Sequence, residues 1–212
     1  MDEDALWNSY FYDGTDVLIN NYNIRNYEQL KDLEASITFE KLFELNSHPL
    51  LEMNFDANHL KAIHKYLFGE IYPFAGSYRY VNMTKEVGSF LSIKNKDTID
   101  DYLNDLFIET EEMLRKSHSK FEFAVTLGNL YTKLIYAHPF REGNGRTVRE
   151  FVREYSIKKS EEIGLGKLEL DFSLVNRNEL NKHLAVAHMY PAYTGLLFND
   201  ALVPIEKEKN IK

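Results

Sequence analysis

The 212-residue chain is 44% hydrophobic and 14% aromatic, a globular composition that predicts one domain over 1–212 with a single buried core. Its 33 acids against 25 bases leave a formal charge of −8, so neither nucleic acid nor an anionic membrane is expected as a partner. The absence of cysteine excludes disulfides and thiolate metal ligands; the acidic start, Met1-Asp2-Glu3-Asp4, and the lack of a run of about 18 apolar residues suggest a cytoplasmic protein, with delivery into another cell left open.

In chain order, Leu30, Leu33, Ile37, Leu42 and Leu45 recur at three- to five-residue spacings and predict a helix over 27–46. The same pattern continues over 55–72 with Leu60, Ile63, Leu67 and Ile71, and Asp56 is placed to cap its start. Between Arg79 and Ile93, "RYVNMTKEVGSFLSI" breaks the helical period. Its alternation suits a short β-hairpin over about 80–93 with Gly88 at the turn, or an ordinary surface loop. Asp97 opens another helix carrying Ile99, Leu103, Leu106 and Met113. Residues 121–136 are apolar on most sides, as in a buried central helix, and two more helices are expected over 147–160 and 176–190. No repeat, low-complexity tract or proline-rich linker divides the chain. The fold class is therefore all-α with at most one short hairpin.

Residues 138–149, "HPFREGNGRTVR", carry the chemistry. Pro139 should stop the preceding helix near Tyr136 or Ala137, which leaves His138 at a helix end. Gly143, Asn144 and Gly145 permit a turn whose backbone N–H groups point inward as an anion nest. A new helix from Arg146 would aim its free N–H groups and positive dipole end at the same spot. Arg146 and Arg149 lie three apart, on one face, and two guanidinium groups there suit a polyphosphate. Glu142 would repel a bare phosphate but would share a Mg²⁺ with one. His138 is then the side chain able to accept a proton near neutral pH. Together these parts suit transfer from a nucleoside triphosphate to a hydroxyl. The same residues also suit a capped turn between helices with solvated arginines.

The stretch resembles the signature of the Fic family, H-x-F-x-(D/E)-G-N-G-R-x-x-R, at every fixed position: His138, Phe140, Glu142, Gly143, Asn144, Gly145, Arg146 and Arg149. "GTDVLINNYNI", "IHKYLFGEIYPFAGSYRYVNM" and "LVNRNELNKHLAVAH" extend the resemblance from about residue 10 to 200. It implies a helical bundle with one hairpin, the flap, and an enzyme that moves AMP from ATP to a Ser, Thr or Tyr hydroxyl of a target protein, with self-modification as a related outcome. In that scheme His138 is the base, Phe140 anchors the loop and Glu142 holds Mg²⁺. Gly143, Asn144 and Gly145 cradle the phosphates, and Arg146 and Arg149 grip the β- and γ-phosphates. Gly88, Ser89 and Phe90 of the flap would pair with the target segment as an added strand. Asn21 and Tyr22, after "VLIN", fall where relatives often carry another pair, which makes them candidates for the nucleotide's far wall.

Two features depart from the family pattern. Many relatives carry an inhibitory helix, (S/T)-x-x-x-E-(G/N), whose glutamate pairs with the second motif arginine. The nearest match is Ser36 to Glu40 followed by Lys41, which would set Glu40 against Arg149 or else leave an exposed acid. In the latter case restraint falls to a separate small antitoxin protein or is absent. The base pocket is not legible, so UMP or GMP transfer stays open, as does a Fic-like nucleotide- or peptide-binding module held inactive by a partner. His59 with His64, and His183 with His188, are five apart, about 140° around a helix, and do not form a one-face zinc pair.

Overall fold

The computed structural model of the chain describes residues 3–48, 50–84, 90–186 and 191–205. The elements in order are α1 (Glu3–Asn8), α2 (Tyr27–Ser47), α3 (Ala57–Phe68), α4 (Thr98–Arg115), α5 (Lys120–Ala137), α6 (Asn144–Glu162), β1 (Leu168–Leu170), α7 (Arg177–Val186), α8 (Pro191–Ala201) and β2 (Leu202–Pro204). The fold is mostly helical, as expected. Two compact units form, one from Met1–Leu103 with Tyr136–Glu150 and one from Asn104–Ile135 with Phe151–Lys212. Among the described residues no helix is long and apolar enough to cross a membrane.

The first unit is organised around α3. Asp56 caps it, its side chain accepting from the His59 N–H at 2.8 Å, and one face of the helix puts Leu60, Ile63, Leu67 and Phe68 out of contact with solvent. Asn26 caps α2 in the same way, accepting from the Gln29 N–H at 3.0 Å. That longer helix is bound to its surroundings by a narrow strip, with Leu30, Thr38 and Leu45 as its buried side chains, while Phe39 and Phe43 project into solvent.

The second unit buries Phe123, Leu127, Leu130 and Leu134 of α5 with Phe151, Val152 and Phe198. Gly128 on α5 and Gly195 on α8 let two helix backbones touch. A Cβ on Gly128 would stand 2.5 Å from Gly195 N, and one on Gly195 would stand 2.6 Å from Val125 Cα. Strands β1 and β2 pair antiparallel, with Leu168 opposite Pro204 and Leu170 opposite Leu202. The other edge of β1 is closed by α6, whose Ser160 and Ser156 hydroxyls accept from the N–H groups of Leu168 and Leu170 at 2.9 and 2.8 Å.

Sequence periodicity did not anticipate α1, α8 or this small sheet. The described arms of the expected hairpin, 80–84 and 90–93, hold no extended strand but one β-bridge residue, Thr84; the Ile93 N–H donates to Asn82 Oδ1 at 2.7 Å between them. Lys85 to Ser89, which include Gly88 and Ser89, lie outside the described residues.

Candidate active site

Helix α5 ends at Ala137, just before Pro139. His138 makes the turn with φ +43°, a left-handed conformation uncommon outside glycine but adopted more often by asparagine, aspartate and histidine than by other residues. It is held there from outside the loop: its carbonyl accepts from Arg79 Nε at 2.6 Å. The half-buried imidazole lies parallel to the Phe90 ring, with centroids 3.7 Å apart. Of the proposed docking residues, Phe90 is thus set against His138.

Phe140 is fully buried and stacks on His64 of α3, with centroids 3.9 Å apart. His64 Nδ1 accepts from the Gly76 N–H at 2.8 Å, so Nε2 carries the proton and donates to the Glu142 carbonyl at 2.9 Å. Burial is the main force pushing the His64 pKa down to about 4; the bond to the Glu142 carbonyl opposes it, and Arg146 and Lys65 add to the fall. The neutral ring is a strut between the turn at Gly76 and the loop. Sequence spacing gave no sign of this role.

The nest follows. Asn144 turns its side chain inward, donating from Nδ2 to the Phe140 carbonyl at 2.7 Å and accepting the Phe140 N–H at 2.9 Å. Gly143 has φ +78°, and a Cβ there would meet the Phe68 ring at 2.4 Å, so both the turn and the packing require glycine. Its own N–H donates to Glu142 Oε1 at 2.9 Å. Helix α6 starts at Asn144, three residues earlier than the apolar period suggested, and its first internal bond runs from the Thr147 N–H to the Gly143 carbonyl at 3.1 Å. The preceding N–H groups therefore have no helical acceptor, the arrangement that attracts anions to a helix start.

The two arginines differ. Arg146 donates to the Glu34 carboxylate and, through Nη1, to Thr38 Oγ1 at 3.2 Å. Its guanidinium lies 4.8 Å from the Phe68 ring centroid. Glu34 also accepts from the Tyr72 hydroxyl and is only 12% exposed. Arg149 has no ion pair among the described residues, and its Nη1 lies 3.3 Å from where a Cβ of Gly145 would stand, over the start of its own helix.

Of the two readings of Glu40, a partner of Arg149 or an exposed acid, the side chain takes the second. Ser36 and Glu40 are exposed, and the α2 carboxylate that reaches the loop is Glu34. Helix geometry gives the reason: Thr38 lies about 40° around the axis from Glu34, whereas Glu40 lies about 120° away on the other side. Asn21 and Tyr22 are tied to the turn after α3. Asn21 Nδ2 donates to the Gly69 and Glu70 carbonyls at 3.3 and 3.0 Å, and the Tyr22 hydroxyl donates to Glu70. Arg79, His64 and Glu34 are the residues that sequence reasoning missed, since an arginine in a loop and a glutamate on a polar helix carry no periodic signal.

Among the described residues no cluster of three acidic or histidine ligands could hold a metal by itself. Glu142 offers one carboxylate, 43% exposed, 3.9 Å from Arg146 Nη2. That donor set fits Mg²⁺, which takes one or two carboxylates and fills its octahedron with water and phosphate oxygens.

The family model described as Fic/DOC family matches residues 54–155. Protein adenylyltransferase VbhT of Bartonella schoenbuchensis is 31% identical over 172 residues, 79% of this chain; the chain spans about a third (33%) of that protein's length. The probable protein adenylyltransferase y4lH of Sinorhizobium fredii is 30% identical over 161 residues, 74% of this chain and 80% of that protein. Among solved structures, BepC from Bartonella tribocorum with bound AMPPNP superposes with a TM-score of 0.74 at 27% identity, covering 94% of this chain and 98% of that one.

Proposed function

The chain belongs to the Fic/DOC family, and from that premise we propose that it is a protein adenylyltransferase, moving AMP from ATP to a Ser, Thr or Tyr hydroxyl of a target protein. The observation that carries this reading is the division of labour in the loop. His138 is fixed through its backbone with its ring half-buried beside Phe90, while the first turn of α6 and Arg149, which has no ion pair among the described residues, stand ready for phosphate.

In this mechanism ATP lies with its phosphates on the N–H groups that start α6. Arg149 and the donors of Arg146 not used by Glu34 and Thr38 take the β- and γ-phosphates, which holds the α-phosphorus in place for in-line attack. Glu142 would hold Mg²⁺, and the ion would neutralise charge on the phosphate oxygens. His138 accepts the proton of the target hydroxyl as its oxygen bonds to the α-phosphorus. The α–β bridging P–O bond breaks, and pyrophosphate leaves. The target segment docks on the flap beside Phe90, which keeps its hydroxyl next to His138.

Intact-protein mass after incubation with Mg-ATP tests this. Wild type should gain one AMP, His138→Ala should gain none, and both should bind Mg-ATP with similar affinity. A gain with UTP or GTP but not ATP would reassign the base. Tight nucleotide binding with no mass gain, on this chain or on added target proteins, would replace the enzyme with a binding module.

A further inference from the structure

Four consecutive carbonyls at the end of α5 and the start of the loop are all bonded from the flap side. The Tyr136 carbonyl accepts from the Leu91 N–H at 3.0 Å. Ala137 accepts from Arg79 Nη2 at 3.3 Å, His138 from Arg79 Nε at 2.6 Å, and Pro139 from the Arg79 backbone N–H at 2.8 Å. The same guanidinium reaches both arms of the flap, through Nη1 to the Val81 carbonyl at 2.6 Å and Nη2 to the Leu91 carbonyl at 2.7 Å.

Arg79 is 2% exposed and has no carboxylate partner among the described residues. Burial lowers its pKa, with nearby Tyr10 opposing. A buried cation without an anion persists only when its donors are satisfied, and here the acceptors are carbonyls clustered at the negative end of the α5 dipole. They are also the carbonyls a helix end leaves without partners. The site is therefore a mutual cap, in which the flap closes α5 and α5 offsets the buried charge of the flap.

We propose that Arg79 is a positioning residue for the transfer, fixing the separation between the flap and His138 with one rigid guanidinium. The inference rests on the reading of His138 as base and the flap as docking edge. Because the bonds to residues 137–139 bracket the left-handed turn at His138, Arg79 sets where the imidazole stands. Because it also holds Val81 and Leu91, it sets where a segment lying along the flap presents its hydroxyl. Lysine keeps the charge but offers its donors from one point and cannot span three chain segments.

The test is Arg79→Lys, read by three measurements on the full chain. The ring signals of His138, assigned by their loss in His138→Ala, should be shielded in wild type by the Phe90 face and should move downfield in the variant. The His64 signals should stay in place and so report an intact fold. The rate of AMP addition by intact mass should fall at least tenfold while the Mg-ATP dissociation constant changes less than twofold. Unmoved His138 signals with an unchanged rate would overturn the proposal, as would a loss of nucleotide affinity in step with the rate. If Arg79→Lys fails to fold, Arg79→Gln, which strands no buried charge, is measured in its place by the same criteria. A wild type that adds no AMP would overturn the adenylyltransferase reading alone, because the His138 signals still decide what Arg79 positions.

Discussion

The two ends of the loop are built on opposite plans. From His138 to Glu142 the backbone is held from outside, by Arg79 on the His138 carbonyl and His64 on the Glu142 carbonyl, and the imidazole stacks on Phe90. From Gly143 to Arg149 the holding is done by side chains, with Phe68 against Gly143, Asn144 folded onto Phe140 and Glu34 on Arg146, and the first-turn N–H groups are left open. In the proposed mechanism a proton acceptor must stand in one place, so its backbone takes the constraint. The proposed anion site would need the backbone itself, so side chains carry the structure there.

The largest effect that would break this contrast is expected at Gly143. An L side chain at φ +78° costs roughly 1–2 kcal/mol, and pushing aside the fully buried Phe68 ring costs about 1–3 kcal/mol more. Denaturant unfolding of Gly143→Ala should show a loss of about 2–5 kcal/mol; a loss well under 1 kcal/mol would mean that the loop can relax and does not depend on this contact.

At the base end the comparable test is pH. The His64 pKa falls from 6.5 in the unfolded chain to about 4 in the folded one, so between those values the unfolded state binds more protons. Stability is full above pH 6.5 and declines as pH drops toward 4, by about 3 kcal/mol at about 1.4 kcal/mol for each pH unit. Unfolding free energies of wild type and His64→Gln from pH 7 to 4 check this. The variant should lack that part of the slope, and parallel curves would show that His64 is not held neutral.

What the sequence made legible follows a physical line. Residues whose role depends on neighbours along the chain were readable: the Asp56 cap, the stop before Pro139, the turn at Gly143 and the arginines on one face of α6. Long-range roles were not. Arg79 works through bonds to residues 58 and 59 positions away, and Glu34 meets Arg146 across 112 positions, separations that no local period encodes. The small sheet was missed because β1 and β2 are three residues each, too short to alternate visibly. The linear motif on α2 offered Glu40 as a partner of the loop or as an exposed acid; it is exposed, and the rotation of that helix presents Glu34 to the loop.

The contrast between the arginines makes the next prediction. Arg149 has no ion pair among the described residues, so Arg149→Ala should weaken Mg-ATP binding by about 1.5–3 kcal/mol, the range for hydrogen bonds to a charged group, and leave unfolding midpoints unchanged. Arg146→Ala should lower both affinity and stability, because it leaves Glu34 with a desolvated carboxylate. Titration calorimetry with thermal unfolding separates the two; equal stability losses would remove the distinction.

The smallest effect is also the most informative about Glu34. Its carboxylate occupies part of the Arg146 fork and places a negative charge where the proposed mechanism would seat a triphosphate, yet Arg146 keeps donors that Glu34 and Thr38 do not use. Glu34→Gln preserves the shape and an acceptor oxygen while removing the charge. In a partly solvated site that should be worth about 1 kcal/mol, read as Mg-ATP binding roughly fivefold tighter. Glu40→Gly, exposed on the other side of α2, should leave the affinity where it was. Weaker binding in Glu34→Gln would give the carboxylate the opposite role, since it would then be holding Arg146 in the pose the nucleotide uses, and the phosphate end of the loop would prove as rigidly arranged as the base end.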